Sequence, residues 1–124
     1  MFQIELQDEF CASHYIRLNG QWEQPHSHTW RVRVFLGRKQ LDKDCVVVDF
    51  EKARKMLRNI LDKLDNKELN SIRELGKNPT AEIVARYLYD ELNCVIGEQF
   101  PQVILDSIAV CEQAGCWARY GKQI

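Results

Sequence analysis

The segment Pro25–Val34 reads PHSHTWRVRV, and its alternation governs how the rest of the chain is interpreted. From Trp30 onward the even positions are apolar and the odd positions hold two arginines, a period of two that is typical of a half-buried strand. His26 and His28 continue the even set. The pattern therefore predicts two neighbouring imidazoles on the core-facing side of one strand, where protonation is costly.

The chain has one other histidine, His14, which ends a second alternating segment. The even positions from residue 2 to residue 12 are apolar except for Asp8. If the two segments pair as antiparallel strands, a loop over about residues 15–24 brings His14 across from the other two histidines. We therefore expect all three imidazoles to converge at one strand end.

Three neutral imidazoles suit a borderline-soft divalent ion, and zinc is the favoured candidate. Three protein ligands leave a fourth coordination position open, which is the pattern of catalytic rather than structural zinc sites. The alternative interpretation is that the H-x-H pair is a chance pair of surface or core histidines.

Composition limits the classes of function. The 124 residues, 45% of them hydrophobic, suffice for one core, so we expect a single domain over residues 1–124. A net charge of -1 predicts no general attraction to nucleic acid or to acidic membranes. No signal-like N-terminus and no apolar run near ~20 residues is present, and five cysteines without a C-x-x-C fit a reducing compartment, so a cytoplasmic protein is expected.

Periodicity predicts an α+β domain with two helices on one face of a small antiparallel sheet. The predicted elements are strands over about 2–14 and 26–36, a short extended run at 45–48, a helix from 50 to about 64, a loop over 67–77, a helix starting near 78–80, and a strand over 103–112 ended by Gly115. Asp49 is the predicted N-cap of the first helix, and Asn78 or Thr80 that of the second. Exposed sheet edges predict oligomerisation by edge pairing.

The predicted buried positions follow from the same periods. The first helix is expected to bury Phe50, Ala53, Met56, Leu57, Ile60, Leu61 and Leu64, the second Ile83, Val84, Tyr87, Leu88 and Leu92, and the last strand is expected to carry Ile104, Asp106, Ile108, Val110 and Glu112 on one face.

Six short motifs resemble, in order, those of the 6-pyruvoyltetrahydropterin synthase / 6-carboxytetrahydropterin synthase family. They are FCASH at 10–14, HSH at 26–28, VDF at 48–50, LD at 64–65 with LN at 69–70, NPTAE at 78–82, and VCE at 110–112. The resemblance implies the tunnelling fold (T-fold), whose subunits join their sheets into a barrel, typically a hexamer of two trimers with sites between subunits. It also implies that His14, His26 and His28 bind zinc and that Glu112 anchors a pterin. A carboxylate can accept two parallel hydrogen bonds from the pterin's amino and ring N–H groups.

Two departures from the family pattern concern the acid/base groups. Where the family usually has a catalytic cysteine, four residues before the H-x-H, this chain has Trp22. Glu23 follows it, and the resulting spacing resembles the E-x-x-H-G-H pattern of a subgroup that cleaves the dihydroneopterin triphosphate side chain to give 6-hydroxymethyl-dihydropterin. Where the family usually has aspartate followed by a proton-shuttling histidine, this chain has Asp65 and Asn66, and asparagine does not titrate.

The leading hypothesis is a zinc-dependent lyase of this family that acts on 7,8-dihydroneopterin triphosphate, with Glu23 as base, Asp65 assisting or merely capping a helix, and Glu112 fixing the ring. Queuosine-type, biopterin-type and folate-type products all stay open. One alternative is a pterin- and zinc-binding family member without catalysis. Another is a structural zinc site in which the three histidines and Glu23 supply all four ligands.

Overall fold

The computed structural model describes residues 1–122, which form one sheet, a small hairpin and two α-helices. The predicted domain end at residue 124 lies outside this range. The elements are β1 (Phe2–His14), β2 (Arg17–Leu18), β3 (Gln21–Trp22), β4 (His26–Arg38), α1 (Phe50–Leu61), β5 (Lys67–Glu68), α2 (Ala81–Gln99), β6 (Ile104–Gln113) and β7 (Cys116–Gly121). Two single-turn 3-10 helices, Leu69–Ser71 and Arg73–Leu75, lie between β5 and α2.

The sheet has the order β5-β1-β4-β6-β7. β1 and β4 pair antiparallel over their whole length, from Phe2 opposite Arg38 to His14 opposite His26. This register confirms the predicted hairpin. All neighbours are antiparallel except β5, whose two residues pair parallel with β1 at Ala12 and Ser13.

One apolar core lies between the sheet and the two helices, which confirms the α+β prediction. Trp30, Val32, Val34 and Leu36 of β4 are all buried, as the alternation predicts. Asp49 caps α1 by accepting from the Glu51 amide, and Thr80 rather than Asn78 caps α2 by accepting from the Ile83 amide. Among the described residues, no helix combines the length and apolarity that crossing a bilayer requires.

Burial of Phe50 is a wrong prediction, because its side chain is 54% exposed. The buried stripe of α1 begins one turn later, at Ala53. Helical periodicity identifies which face packs, but it does not say how far along the helix axis the core extends.

The predicted common face of the last strand is correct only in its second half. Val34 pairs with Ile108 but Leu36 pairs with Leu105, so a β-bulge places one extra residue in β6. Leu105 is consequently buried, whereas Ile104 and Asp106 are only partly buried. The bulge reverses the alternation, since each added residue turns the following side chains to the other face.

The extended run predicted at 45–48 is also wrong. Asp42 accepts hydrogen bonds from the amides of Asp44 and Val46, and Cys45 has a φ of 62°. A side chain that binds nearby amides competes with strand pairing, so the segment forms a turn before α1. The chain also holds three short strands, β2, β3 and β5, and the longer β7, all of which lie outside the predicted set.

Candidate metal centre

The three histidines meet at one end of the β1–β4 pair. His14 lies directly opposite His26, and His28 lies opposite Ala12, two residues back along β1. Since side chains two residues apart share a face, the three rings project to the same side of the sheet. Their ring centroids are 4.5–5.7 Å apart. The predicted convergence of the three imidazoles is what the structure shows.

Glu112, near the end of β6, completes a cluster of four. Its Oε2 lies 2.6 Å from His14 Nε2, 3.3 Å from His28 Nε2 and 4.0 Å from His26 Nε2. One ligand atom from each of the four residues lies within 4.8 Å of every other. His14 is fully buried, and the other three are partly buried. Three imidazoles and a carboxylate form a donor set that could hold a metal ion.

Backbone carbonyl groups orient two of the three rings. His14 Nδ1 lies 2.9 Å from the Pro79 carbonyl oxygen, and His26 Nδ1 lies 3.0 Å from that of Gln24. A carbonyl oxygen only accepts, so we assign the proton of each neutral ring to Nδ1. Nε2 then presents its lone pair toward the cluster, as metal-ligating histidines do.

Two buried atoms of the cluster have no hydrogen-bond partner among the described residues. His14 Nε2 and Glu112 Oε2 are close, but the contact lies outside hydrogen-bond geometry. A lone pair and a carboxylate oxygen that face each other at this distance need a proton or a cation between them. The residues present therefore fit a bound cation, and this fit rests on the orphaned pair rather than on residue types alone.

The alternative to a cation between His14 and Glu112 is a proton, and the pKa values of the cluster describe that state. Burial lowers the pKa of His14, but the contacts with Glu112 and the Pro79 carbonyl outweigh burial and leave it above its usual value. Burial raises the pKa of Glu112, but its contact with His14 outweighs this and leaves it lowered. The pKa of His28 is lowered, chiefly by burial. A proton shared near His14 thus competes with any cation for the same place.

Glu23 lies next to the cluster, whereas Trp22 points elsewhere. The β2–β3 hairpin turns at Asn19 and Gly20, both with positive φ as a two-residue type I′ turn requires. Glu23 Oε1 lies 3.9 Å from His26 Nε2, and it also accepts from the Ile16 amide at 3.4 Å. The Trp22 ring instead contacts that of Tyr15.

Asp65 is not brought into the cluster within the described residues. Its Oδ1 accepts from the Cys11 amide at 2.9 Å, and its Oδ2 lies 3.4 Å from Arg58 Nη2. The Asn66 amide donates to the Cys11 carbonyl group. Asp65 and Asn66 therefore hold the backbone of β1 three residues before His14, and the Asp65 carboxylate pairs with the guanidinium of Arg58.

Two asparagines hold the chain just beyond His14, a role that sequence reasoning missed. Asn70 accepts from the Tyr15 amide and donates to the Tyr15 carbonyl group, and Asn78 does the same to Arg17. Each asparagine side chain thereby makes the two backbone hydrogen bonds that a neighbouring strand would otherwise make to Tyr15 or Arg17. The motifs at 69–70 and 78–82 were the only available signal for them.

Comparisons of the sequence with known proteins give two informative matches. The family model described as 6-pyruvoyl tetrahydropterin synthase matches residues 3–123. The dihydroneopterin monophosphate aldolase of Pyrococcus furiosus is 30% identical over 83 residues, which are 67% of this chain and 68% of that protein.

Solved structures share the fold. The 6-pyruvoyl tetrahydropterin synthase of Caenorhabditis elegans superimposes with a TM-score of 0.83 at 22% identity, over 98% of this chain and 96% of that chain. A glutamate-to-alanine catalytic-residue mutant of the Plasmodium vivax 6-pyruvoyltetrahydropterin synthase superimposes with a TM-score of 0.79 at 18% identity, over the whole of both chains.

Proposed function

The chain belongs to the 6-pyruvoyl tetrahydropterin synthase family of pterin enzymes, and we propose that it is a zinc-dependent lyase that cleaves the side chain of a dihydroneopterin phosphate. The observation that carries the proposal is the convergence of three histidine Nε2 atoms on the orphaned oxygen of Glu112, with a second carboxylate, that of Glu23, near His26.

Zinc is the proposed occupant because three imidazole nitrogens suit it better than they suit a hard, oxygen-preferring ion. The holding residues would be His14, His26 and His28. Bound there, zinc would supply Lewis-acid chemistry by lowering the pKa of a substrate side-chain hydroxyl group.

Glu23 is the proposed base. Cleavage of the C1′–C2′ bond requires removal of the 2′-hydroxyl proton, after which C2′ becomes an aldehyde and the bonding electrons move into the pterin ring. A proton then returns to C1′, which leaves 6-hydroxymethyl-7,8-dihydropterin. The carboxylate of Glu23, next to His26 and partly open to solvent, can take and return these protons.

Two relatives support this assignment. The Pyrococcus furiosus relative is an aldolase, and the Plasmodium vivax neighbour has a glutamate counted as a catalytic residue. Glu112 is the proposed anchor of the pterin ring. The assisting role predicted for Asp65 stays a prediction, because its carboxylate is engaged by Arg58 and the Cys11 amide.

The test is incubation of zinc-loaded protein with 7,8-dihydroneopterin triphosphate and, separately, with the monophosphate, followed by mass spectrometry. We expect 6-hydroxymethyl-7,8-dihydropterin from at least one of them and none from a His26→Ala control. A 6-pyruvoyl product would instead indicate carbon–oxygen bond cleavage. A 6-carboxy product would indicate a queuosine-type outcome.

The second candidate is a pterin- and zinc-binding member without catalysis. The observation in its favour is that Trp22 and Asn66 stand where the family resemblance places the usual cysteine and histidine, and neither side chain titrates. Retained pterin binding without any product, in both the native protein and Glu23→Gln, would establish it.

A closed structural site made by Glu23 has less support. Of the three metal-ligand candidates only His26 lies near Glu23, at 3.9 Å, and the fourth member of the cluster is Glu112.

We also propose a hexamer of two trimers as the working form, located in the cytoplasm and built from one domain per chain. Within the described residues, β7 has a strand neighbour on one side only, and most of β1 likewise pairs only with β4. Exposed Trp117 and Tyr120 lie on β7. Edge pairing of β7 with β1 of a second copy would cover both edges, and light scattering of the purified protein tests the resulting mass.

A further inference from the structure

We propose that Glu112 is a fourth metal ligand while the site is free of pterin, and that a bound pterin ring draws this carboxylate away and so opens the fourth coordination position. The inference rests on the proposed function, which assigns the site to zinc and pterin. It adds a regulatory step in which the side chain of Glu112 couples pterin binding to zinc binding.

The distances place a single carboxylate oxygen at the fourth position. Ligand atoms of a tetrahedral zinc site lie about 3.3 Å from one another when each bond is about 2.0–2.1 Å. The three separations between Glu112 Oε2 and the histidine Nε2 atoms are 2.6, 3.3 and 4.0 Å, which lie on both sides of that value. Glu23 approaches only one of the three nitrogens, so its geometry does not match.

Among residues 1–122, the carboxylate of Glu112 has no ion-pair partner other than the three histidines. Its side chain is 19% exposed and Oε2 is buried without a hydrogen-bond partner. Within the part of the chain that the structure describes, its ion-pair contacts are with the three histidines, and no lysine or arginine is among them. Asp65, in contrast, has Arg58. A buried carboxylate in this position is stabilised by a cation between it and the imidazoles.

Anchoring a pterin makes a competing demand on the same carboxylate. Two parallel hydrogen bonds from the pterin's amino and ring N–H groups require both carboxylate oxygens to face the ring. The oxygen now among the three imidazoles must then move away from them. Metal ligation and ring anchoring are therefore mutually exclusive for Glu112.

Two consequences follow from this exclusion. Without pterin, four protein ligands close the metal site, so other anions and hydroxyl compounds gain no access to the metal. With pterin bound, one ligand leaves, and the position opens beside the substrate side chain. Because coupling between two ligands is reciprocal, the ring must also weaken metal binding by the same factor by which the metal weakens ring binding.

The decisive measurement is the zinc dissociation constant of the native protein with and without pterin itself, 2-amino-4-oxopteridine. This probe has the ring but no side-chain hydroxyl groups, so it does not compensate by supplying those groups to the metal. We expect saturating pterin to raise the zinc dissociation constant by about 5-fold or more, a typical size for coupling between sites. The measurement needs no variant, so a misfolded mutant does not affect it.

Cobalt(II) substitution provides a spectroscopic readout that is independent of turnover. We expect pterin to change the visible absorption of the cobalt-loaded native protein, because one ligand is exchanged. Glu112→Gln should bind zinc about 10-fold more weakly and should show an altered cobalt spectrum before pterin is added. Glu98→Gln, at an exposed position on α2, is the matched control and should behave as the native protein does.

The results separate this inference from the proposed function. Independent binding of zinc and pterin, with an unchanged zinc dissociation constant and an unchanged cobalt spectrum, would overturn the proposed exchange of Glu112 between metal and pterin. The enzyme proposal would still stand. A loss of zinc affinity in Glu23→Gln instead of Glu112→Gln also overturns it. Failure of the native protein to bind either zinc or pterin overturns both.

Discussion

Glu112 and Asp65 are both partly buried carboxylates, but their neighbours differ in a way that assigns them different work. Three imidazoles face Glu112, and no permanently charged group forms an ion pair with it among the described residues. Asp65 lies against the guanidinium of Arg58 and the Cys11 amide. A carboxylate paired with a permanent cation and a backbone donor is satisfied, whereas one that faces neutral imidazoles gains from a metal ion.

The difference shows that residue type and motif position are a weaker guide to a role than the charges nearby. Arg58 also contacts Asp8 and Asp62, so the same guanidinium ties α1 to β1 and to the turn after the helix. The contacts of Asp65 and Arg58 hold the strand in place. The cluster around Glu112 could instead hold a metal ion.

The largest expected effect is that of His26→Ala on the candidate metal cluster. We expect zinc content to fall below stoichiometric and turnover to fall by about 10³-fold or more, because Lewis-acid assistance of several kcal/mol is lost. Metal analysis by mass spectrometry and turnover are the measurements. Gln24→Ala is the control, since Gln24 accepts the hydrogen bond from His26 through its backbone carbonyl group, which alanine keeps. Normal zinc content in His26→Ala would contradict the assignment of the cluster.

Glu23→Gln should separate chemistry from metal binding. We expect turnover to fall by about 10²-fold, a typical loss when a general base is removed, while zinc content and thermal midpoint stay near native values. The amide is nearly the same size as the carboxylate but does not take up a proton. The pH profile of kcat is the discriminating measurement, because its acidic limb should disappear. Full activity of the variant would transfer the role of base to another residue.

Asp65→Ala should affect stability more than chemistry. Removing this carboxylate leaves the Cys11 amide and Arg58 each with one partner fewer, and we expect a loss of about 1–3 kcal/mol in the free energy of unfolding. Urea denaturation measures it. Turnover per folded molecule should stay within about tenfold of native, as expected for a group outside the reacting atoms. A loss as large as that in Glu23→Gln, in protein that is fully folded, would instead confirm the predicted assisting role.

The histidine convergence was predictable because two long alternating segments allow few registers. A shift of one residue would turn Trp30, Val32 and Val34 to solvent, so the buried face alone fixes which side the imidazoles share. The hairpin register then brings His14 opposite His26. The helices follow equally from their 3.6-residue period and caps.

Glu112 was predictable as a family-like residue but not as a member of the metal cluster. Its position depends on the pairing of β6 with β4, in which Cys111 lies opposite Arg31, and no local pattern reveals a pairing between segments so far apart in the sequence. The ring-orienting Pro79 carbonyl comes from a segment 65 residues away from His14. A backbone group has no sequence signature, so contacts of this kind appear only with the fold.

The missed strand β7 had a visible signal. Gly115, with a φ of 82°, supplies the turn after β6, and Trp117 and Arg119 alternate with the partly buried Ala118 behind it. On the helix-free face the guanidinium of Arg33 lies 4.9 Å from the Trp117 ring centroid, and that of Arg119 lies 4.6 Å from the Phe35 ring centroid. These cation–π contacts help to hold a strand whose side chains are mostly exposed.

The smallest expected effect is a pH-dependent difference in the stability of the metal-free protein. The raised pKa of His14 contributes stability that is present below the ordinary histidine value of 6.5 and is lost as pH rises through the raised pKa. The lowered pKa of Glu112 contributes stability that is present above the ordinary value of 4.5 and is lost as pH falls through the lowered pKa. Both contributions coincide between about pH 4.5 and 6.5.

Glu112→Gln should therefore be most destabilising, relative to the native protein, inside this window in the presence of a chelator, and least so near pH 8. Chemical denaturation at pH 5.5 and pH 8 measures the two differences. Glu23, His26 and His28 also face this pair, so Glu23→Gln at the same two pH values isolates the contribution of Glu23. With zinc bound the dependence should reverse, because protons on the imidazoles then compete with the metal and acid releases it. An equal effect of Glu112→Gln at both pH values without metal would show that Glu112 and His14 do not share a proton, and would leave a cation as the only group that reconciles their contact.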